Sequence, residues 1–144
     1  MKKIGVTFSA FDLLHPGHIL MLEDCKRVCD YLIVGVQSDP TIDRKVNDDE
    51  YSKVSGKVKN TPIQTLEERL IMIKSIRFVD KVFVYNTEQD LYNWLSNNKW
   101  DIRILGSDWE GKKFTGHDID GELYFHKRDH DWSSTALRQK IKKN

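Results

Sequence analysis

The chain has 144 residues, 39% of them hydrophobic, and its 23 basic residues nearly balance 22 acidic ones for a net charge of +1. That is the size of one globular domain with a real core, and the balance excludes a nucleic-acid or membrane binder that works through a global field. No apolar run approaches the roughly 20 residues of a membrane span, and Asp12, His15 and His18 interrupt any signal-peptide core, so a single cytoplasmic domain over residues 1–144 is expected.

Ile4-Gly5-Val6-Thr7-Phe8 is a short run of β-formers, and residues 17–29 repeat apolar side chains at helical spacing. Cys25 and Cys29 sit one turn apart on that helix. They are hard to bridge there and supply only half a zinc site, so they read as buried free thiols. Residues 31–36, Tyr-Leu-Ile-Val-Gly-Val, form a second strand without polar alternation, as in a parallel sheet covered on both faces. The opening is a right-handed βαβ unit.

From about 37 to 60 the pattern dissolves into Asp, Lys, Ser and Asn, too long and polar for an ordinary connection. It reads as a polar loop or lid. Thr65-Leu66-Glu67-Glu68 matches a capping box and opens a helix to about Ile76. Residues 81–85 make a third strand, Thr87 caps a helix through Trp94 and Leu95, and residues 102–105 make a fourth strand. Leu123-Tyr124-Phe125 is a fifth strand, and Ser133-Ser134 cap a basic C-terminal helix. The expected fold is α/β: a doubly wound, mostly parallel five-stranded sheet with helices on both faces.

Ligands of such a sheet collect beyond the carboxyl ends of the strands. The loop after the first strand reads Ser9-Ala10-Phe11-Asp12-Leu13-Leu14-His15-Pro16-Gly17-His18. Two imidazoles flank a Pro-Gly pair where a helix begins, beside the free amides and positive end of that helix. The arrangement suits polyphosphate, and Gly17 permits a close backbone approach. The competing reading is one capping and one exposed histidine.

This segment resembles the H-x-G-H signature of the cytidylyltransferase group in the nucleotidyltransferase superfamily. It is similar above all to glycerol-3-phosphate cytidylyltransferases. The likeness extends to Glu68-Arg69, Val79-Asp80-Lys81-Val82, Gly106-Ser107-Asp108-Trp109-Glu110-Gly111-Lys112, and Trp132-Ser133-Ser134-Thr135 preceded by Arg128. Ser9 and Ala10 depart from the family's residues before Phe-Asp, and the 113–122 stretch also differs.

The resemblance implies that His15 and His18 steady the α-phosphorus and bridging oxygen while an acceptor phosphate attacks and pyrophosphate leaves. Lys45, first choice among Lys45, Lys53, Lys57 and Lys59, and Arg128 join them as catalytic cations. Ser9, Ala10, Phe11, Gly17, Arg69, Asp108, Trp109, Ser133, Ser134 and Thr135 become the nucleotide-binding residues. It also implies CTP or another nucleoside triphosphate as donor, a phosphorylated small-molecule acceptor, substrate-bridged Mg2+ with no protein metal site, and a homodimer. The expected activity is CTP:glycerol-3-phosphate cytidylyl transfer. Alternatives are cytidylyl or adenylyl transfer to another phosphorylated sugar, polyol or amino alcohol, and a non-catalytic nucleotide-binding regulatory module.

Overall fold

The computed structural model describes residues 2–43 and 61–143; Lys45, Lys53, Lys57, Lys59 and most of the expected lid lie outside the described residues. The elements are β1 (Ile4–Ser9), α1 (Pro16–Arg27), β2 (Tyr31–Gln37), α2 (Leu66–Lys74), β3 (Lys81–Tyr85), α3 (Glu88–Asn97), β4 (Ile102–Gly106), β5 (Glu122–His126) and α4 (Ser134–Lys143). A 3-10 turn, Ser107–Trp109, follows β4.

The strands form one five-stranded sheet in the order β3-β2-β1-β4-β5. Every pairing is parallel, so the mostly parallel sheet expected from the sequence is all-parallel. The chain winds outward from β1 in both directions, which opens a crevice between the carboxyl ends of β1 and β4.

The missing alternation in β2 has a direct cause. Leu32, Val34 and Val36 pack with Leu22 and Cys25 of α1 and Ile73 of α2, while Ile33 faces the other way, toward Leu91 and Leu95 of α3. Helices therefore cover both faces, as in other buried parallel sheets. Cys25 and Cys29 are free and buried in the first of these cores.

Side-chain caps start the helices where the sequence places them. Thr65 Oγ1 accepts from the Glu68 amide at 3.1 Å, and Glu68 Oε1 accepts from the Thr65 amide at 2.8 Å. Thr87 and Asp90 make the same reciprocal pair for α3. α2 ends at Lys74 rather than near Ile76, because the Ser75 and Ile76 amides close back on Met72 and Ile73 in tighter turns. Among the described residues no helix is long and apolar enough to cross a membrane.

Candidate active site

The loop leaving β1 is held in an unusual shape. Phe11 and Leu13 have φ of 54° and 53°, a left-handed conformation that costs bulky residues about 1–3 kcal/mol each. Its surroundings impose it. The Phe11 side chain is buried in the core, and the Asp12 carboxylate accepts from the Ile63 and Gln64 amides, both at 2.9 Å. Arg138 of α4 pairs with the same carboxylate. The Leu13 amide donates to Gln64 Oε1 at 2.9 Å, and Ser134 Oγ donates to the Asp12 carbonyl at 2.7 Å.

This loop delivers His15 and His18 to the start of α1. His15 Nδ1 accepts from the Gly17 amide at 3.0 Å, and His18 Nδ1 accepts from the His15 amide at 3.2 Å. With both Nδ1 lone pairs engaged, each neutral ring must carry its proton on Nε2. The ring centroids are 3.9 Å apart.

Burial lowers the pKa of His15, helped by Arg128 and His130. Burial, then His15 and Arg128, pushes His18 down to about 3. At neutral pH the pair is two uncharged Nε2–H donors rather than two cations. A Cβ on Gly17 would lie 2.7 Å from Cε1 of both His15 and His130, so glycine is what allows these rings to close around the helix start.

The C-terminal element completes the cradle. Ser133 Oγ accepts from the Ala136 amide at 2.9 Å and caps α4, whose positive end faces the histidines' cavity. Ser133 and Ser134 are brought to the site; Ser134 Oγ donates to the Asp12 carbonyl, while Ser133 Oγ only accepts and keeps its O–H as a donor beside the helix start. Thr135 is exposed and lines neither cavity. It stands about 100° further round the helix than Ser134, away from the two cavities that Ser134 lines. Arg128 lines the cavity, with its guanidinium braced on the Trp132 carbonyl.

Arg69, expected on phosphate, is committed to backbone carbonyls in the structure. It is 2% exposed and lines neither cavity. Its Nη1 donates to the carbonyls of Ala10 and Gln37 at 2.9 and 2.6 Å, Nη2 to Ser38 at 2.6 Å, and Nε to Gln64 at 3.3 Å. The guanidinium ties the carboxyl ends of β1 and β2 to the start of α2 and shapes the crevice from below.

Two cavities meet here. The smaller, about 250 Å³, is lined by His15, Gly17, Asp108, Arg128, His130 and Ser133 among others. The larger, about 870 Å³, runs from Ser9, Ala10 and Phe11 past Trp109 to Glu88 and Tyr92. His18, Met21, Gly106 and Ser134 line both. Asp108 and Trp109, expected together, are separated by the 3-10 turn into the smaller and the larger cavity respectively.

Several residues escaped the sequence reading. His130 Nδ1 accepts from the Trp132 amide at 3.1 Å, so in its neutral ring Nε2 carries the proton; its signal was its place between Arg128 and Ser133. Arg103 is 5% exposed, lies over the rings of Phe8 and Phe114 at 5.3 and 5.1 Å, and donates to the Thr115 carbonyl. Burial pushes it down to about 10. A lone arginine inside Ile102-Arg103-Ile104-Leu105 was the available signal. His126 contacts Asp24 across 102 positions of sequence, which no local pattern announces.

A family model described as Cytidylyltransferase-like matches residues 6–140. The chain is 33% identical over 141 residues to "Bifunctional protein HldE" of Campylobacter jejuni subsp. jejuni, covering 98% of this chain and 28% of that protein. It is 32% identical to the protein of the same name from a Nitratiruptor species, with the same coverage. The chain thus spans little more than a quarter of these relatives. Among solved structures it is similar to a lipopolysaccharide core biosynthesis protein from Thermoplasma volcanium, at 25% identity and a TM-score of 0.57 over 99% of this chain and 88% of that one. A putative nicotinate-nucleotide adenylyltransferase from Vibrio parahaemolyticus shares the fold, at 16% identity and a TM-score of 0.54, with 99% and 88% covered.

Proposed function

Because the chain belongs to the cytidylyltransferase-like family, whose model matches residues 6–140, we propose that it transfers a nucleoside monophosphate from a nucleoside triphosphate to a phosphorylated sugar or polyol. The observation that carries this reading is the place of His18. It lines both cavities, so a reacting phosphorus beside it faces a nucleotide on one side and an acceptor on the other.

In the reaction, an acceptor phosphate oxygen forms a bond to the α-phosphorus as the bond to the bridging oxygen breaks, and pyrophosphate leaves. No enzyme intermediate is needed. The Nε2–H groups of His15 and His18 donate to oxygens that gain charge in the transition state, and pre-aimed donors of this kind are worth roughly 3–4 kcal/mol each. Arg128 and the start of α4 hold the β and γ phosphates. Catalysis is then positioning and electrostatic stabilisation. Magnesium, which neutralises triphosphate charge when bound, would arrive on the nucleotide. Asp12 is engaged by two amides and Arg138, and among the described residues no cluster of three His, Cys, Asp or Glu could hold a metal.

The motifs around Asp108-Trp109 and Ser133-Ser134-Thr135 support CTP as donor and glycerol 3-phosphate as acceptor. A second reading, adenylyl or cytidylyl transfer to a sugar phosphate, is favoured by the volume of the larger cavity, about 870 Å³. The Thermoplasma structure's role in lipopolysaccharide core biosynthesis points the same way. Pyrophosphate release with each of CTP, ATP, UTP and GTP, against glycerol 3-phosphate, sugar 1-phosphates and free glycerol, tests both. Release is expected only with a phosphorylated acceptor. Absence of release with every pair, from protein shown to be folded, would leave the nucleotide-binding regulatory module in its place.

A further inference from the structure

Part of the larger cavity rests on an aromatic floor. The Phe8 ring of β1 meets Phe83, Tyr85 and Trp94 edge-on, at 5.8, 5.7 and 5.9 Å between centroids, and Phe83 stacks on Trp94 at 4.7 Å. Arg103 of β4 lies over Phe8, and its guanidinium also lies over the ring of Phe114. Phe114 begins a compact turn, in which the His117 amide donates to the Phe114 carbonyl and the Ile119 amide to the Gly116 carbonyl, both at 3.0 Å.

Three ties hold that turn. Arg103 Nη1 donates to the Thr115 carbonyl. Gly116 has φ of 84°, and a Cβ there would lie 2.7 Å from Leu95 Cδ1 and 3.0 Å from Arg103 Nη1, so the turn is pressed against both side chains. At its far end the Asp118 carboxylate accepts from the Tyr92 hydroxyl of α3 at 3.0 Å. Every residue from Lys113 to Asp118 lines the larger cavity.

The arginine is an expensive way to fill this place. At 5% exposure its guanidinium has lost most of its hydration, and Nε has no hydrogen-bond partner among the described residues. Contact with two rings offsets part of that cost, yet an apolar side chain of similar volume would avoid the cost altogether. What an apolar chain cannot do is grip a carbonyl of the turn in a fixed direction.

We propose that Arg103 is a positioning residue for the acceptor: it holds the turn from Lys113 to Asp118 as the wall of the larger cavity against which the acceptor is seated. This rests on the transferase reading above, with the nucleotide's phosphates in the smaller cavity and the acceptor in the larger. Arg103 and the turn line only the larger cavity, so a displaced turn loosens the acceptor and leaves the nucleotide's phosphates in place.

The test is steady-state pyrophosphate release with the donors and acceptors named above, for the wild type, Arg103→Met, Arg103→Lys, Gly116→Ala and Tyr92→Phe, with thermal unfolding of each protein. On the pair that the wild type turns over fastest, Arg103→Met and Gly116→Ala should each raise the acceptor KM by about tenfold or more while kcat and the nucleotide KM stay within about twofold. Arg103→Lys should recover only part of the loss, since an ammonium cannot keep the planar fork over the rings and on Thr115 together. The double variant Arg103→Met with Gly116→Ala should cost little more than either change alone, because both act through one turn. Tyr92→Phe, which removes the tie at the other end, should show the same split with a smaller rise.

A merely structural arginine would lower stability without separating the two KM values. Should Arg103→Met not fold, Gly116→Ala and Tyr92→Phe carry the same comparison. An unchanged acceptor KM in the folded variants, or a nucleotide KM that rises as much as the acceptor's, would overturn the inference and leave the transferase reading standing. A folded wild type that releases pyrophosphate with no pair would overturn both.

Discussion

The two signature histidines differ in what they do for the fold, and the difference decides how each should be tested. His15 is the N-cap of α1, so His15→Ala removes both a cap, worth about 1 kcal/mol, and the Nε2–H donor. His15→Asn can keep an acceptor for the Gly17 amide while lacking the distal donor. Both His15 variants and His18→Ala should lose roughly 10²–10⁴ in turnover, with His15→Asn closest to wild type in thermal unfolding; near-normal turnover in these variants would remove the histidines from the mechanism. His18 also carries a pH signature. Its folded value of about 3 lies below the ordinary 6.5, so between these values the unfolded chain takes up a proton that the native chain refuses. Stability is full above pH 6.5 and falls as the pH drops toward 3, at about 1.4 kcal/mol per unit from this group. Denaturant unfolding at several pH values between 7 and 4.5 should show a shallower decline for His18→Asn than for wild type, and equal slopes would contradict the buried neutral ring.

At the scale of elements, the crevice depends on clamps that never touch a cavity. Arg69 supplies four hydrogen bonds to carbonyls at the ends of β1 and β2 and the start of α2. Arg69→Met leaves those acceptors buried without a donor, a loss of roughly 3–5 kcal/mol. Arg69→Lys should recover only part, since an ammonium cannot reproduce the planar fork. Thermal unfolding checks both, and an undiminished melting temperature with a raised requirement for nucleotide would return Arg69 to the phosphates. The contrast shows what the sequence could tell. Strands, helices and caps were legible because each is written in neighbouring residues: the apolar run of β2, the Thr65-Glu68 and Thr87 starts, the Pro-Gly of α1. Candidate positions were legible where chemistry and position coincide, and His15, His18, Arg128 and Ser133 do line one cavity. The role of Arg69 was not, because its partners are carbonyls more than 30 or 50 positions away. The His126-Asp24 pair was hidden for the same reason, as it depends on the way β5 passes α1.

For the whole molecule, the site is closed by ties between the ends of the chain, and those ties are polar. α4 has no buried residue among those described. It is joined to the β1 loop through Ser134 Oγ on the Asp12 carbonyl and Arg138 on the Asp12 carboxylate, across 122 and 126 positions of sequence. The sheet, by contrast, holds Val6, Leu32, Val34, Val36, Ile102 and Ile104 at 0–1% exposure. An element with so little apolar burial opens locally at a small free energy, while the central strands open only with global unfolding. The proposed triphosphate cradle therefore draws half its parts, Arg128, His130 and the start of α4, from the less stable portion of the chain. Nucleotide that binds between α1 and α4 must stabilise α4 against opening, by an amount that grows with ligand concentration over its dissociation constant. Backbone hydrogen exchange with and without magnesium and CTP or ATP should show the α4 amides exchanging fastest among the described helices in free protein and slowing several-fold with nucleotide. The amides of β1 and β2 should change far less. Inorganic tripolyphosphate should reproduce most of the protection of α4, since the role proposed for that helix is to meet phosphate rather than base. Protection confined to the sheet, or an α4 already as slow as β2 in free protein, would place the phosphates elsewhere.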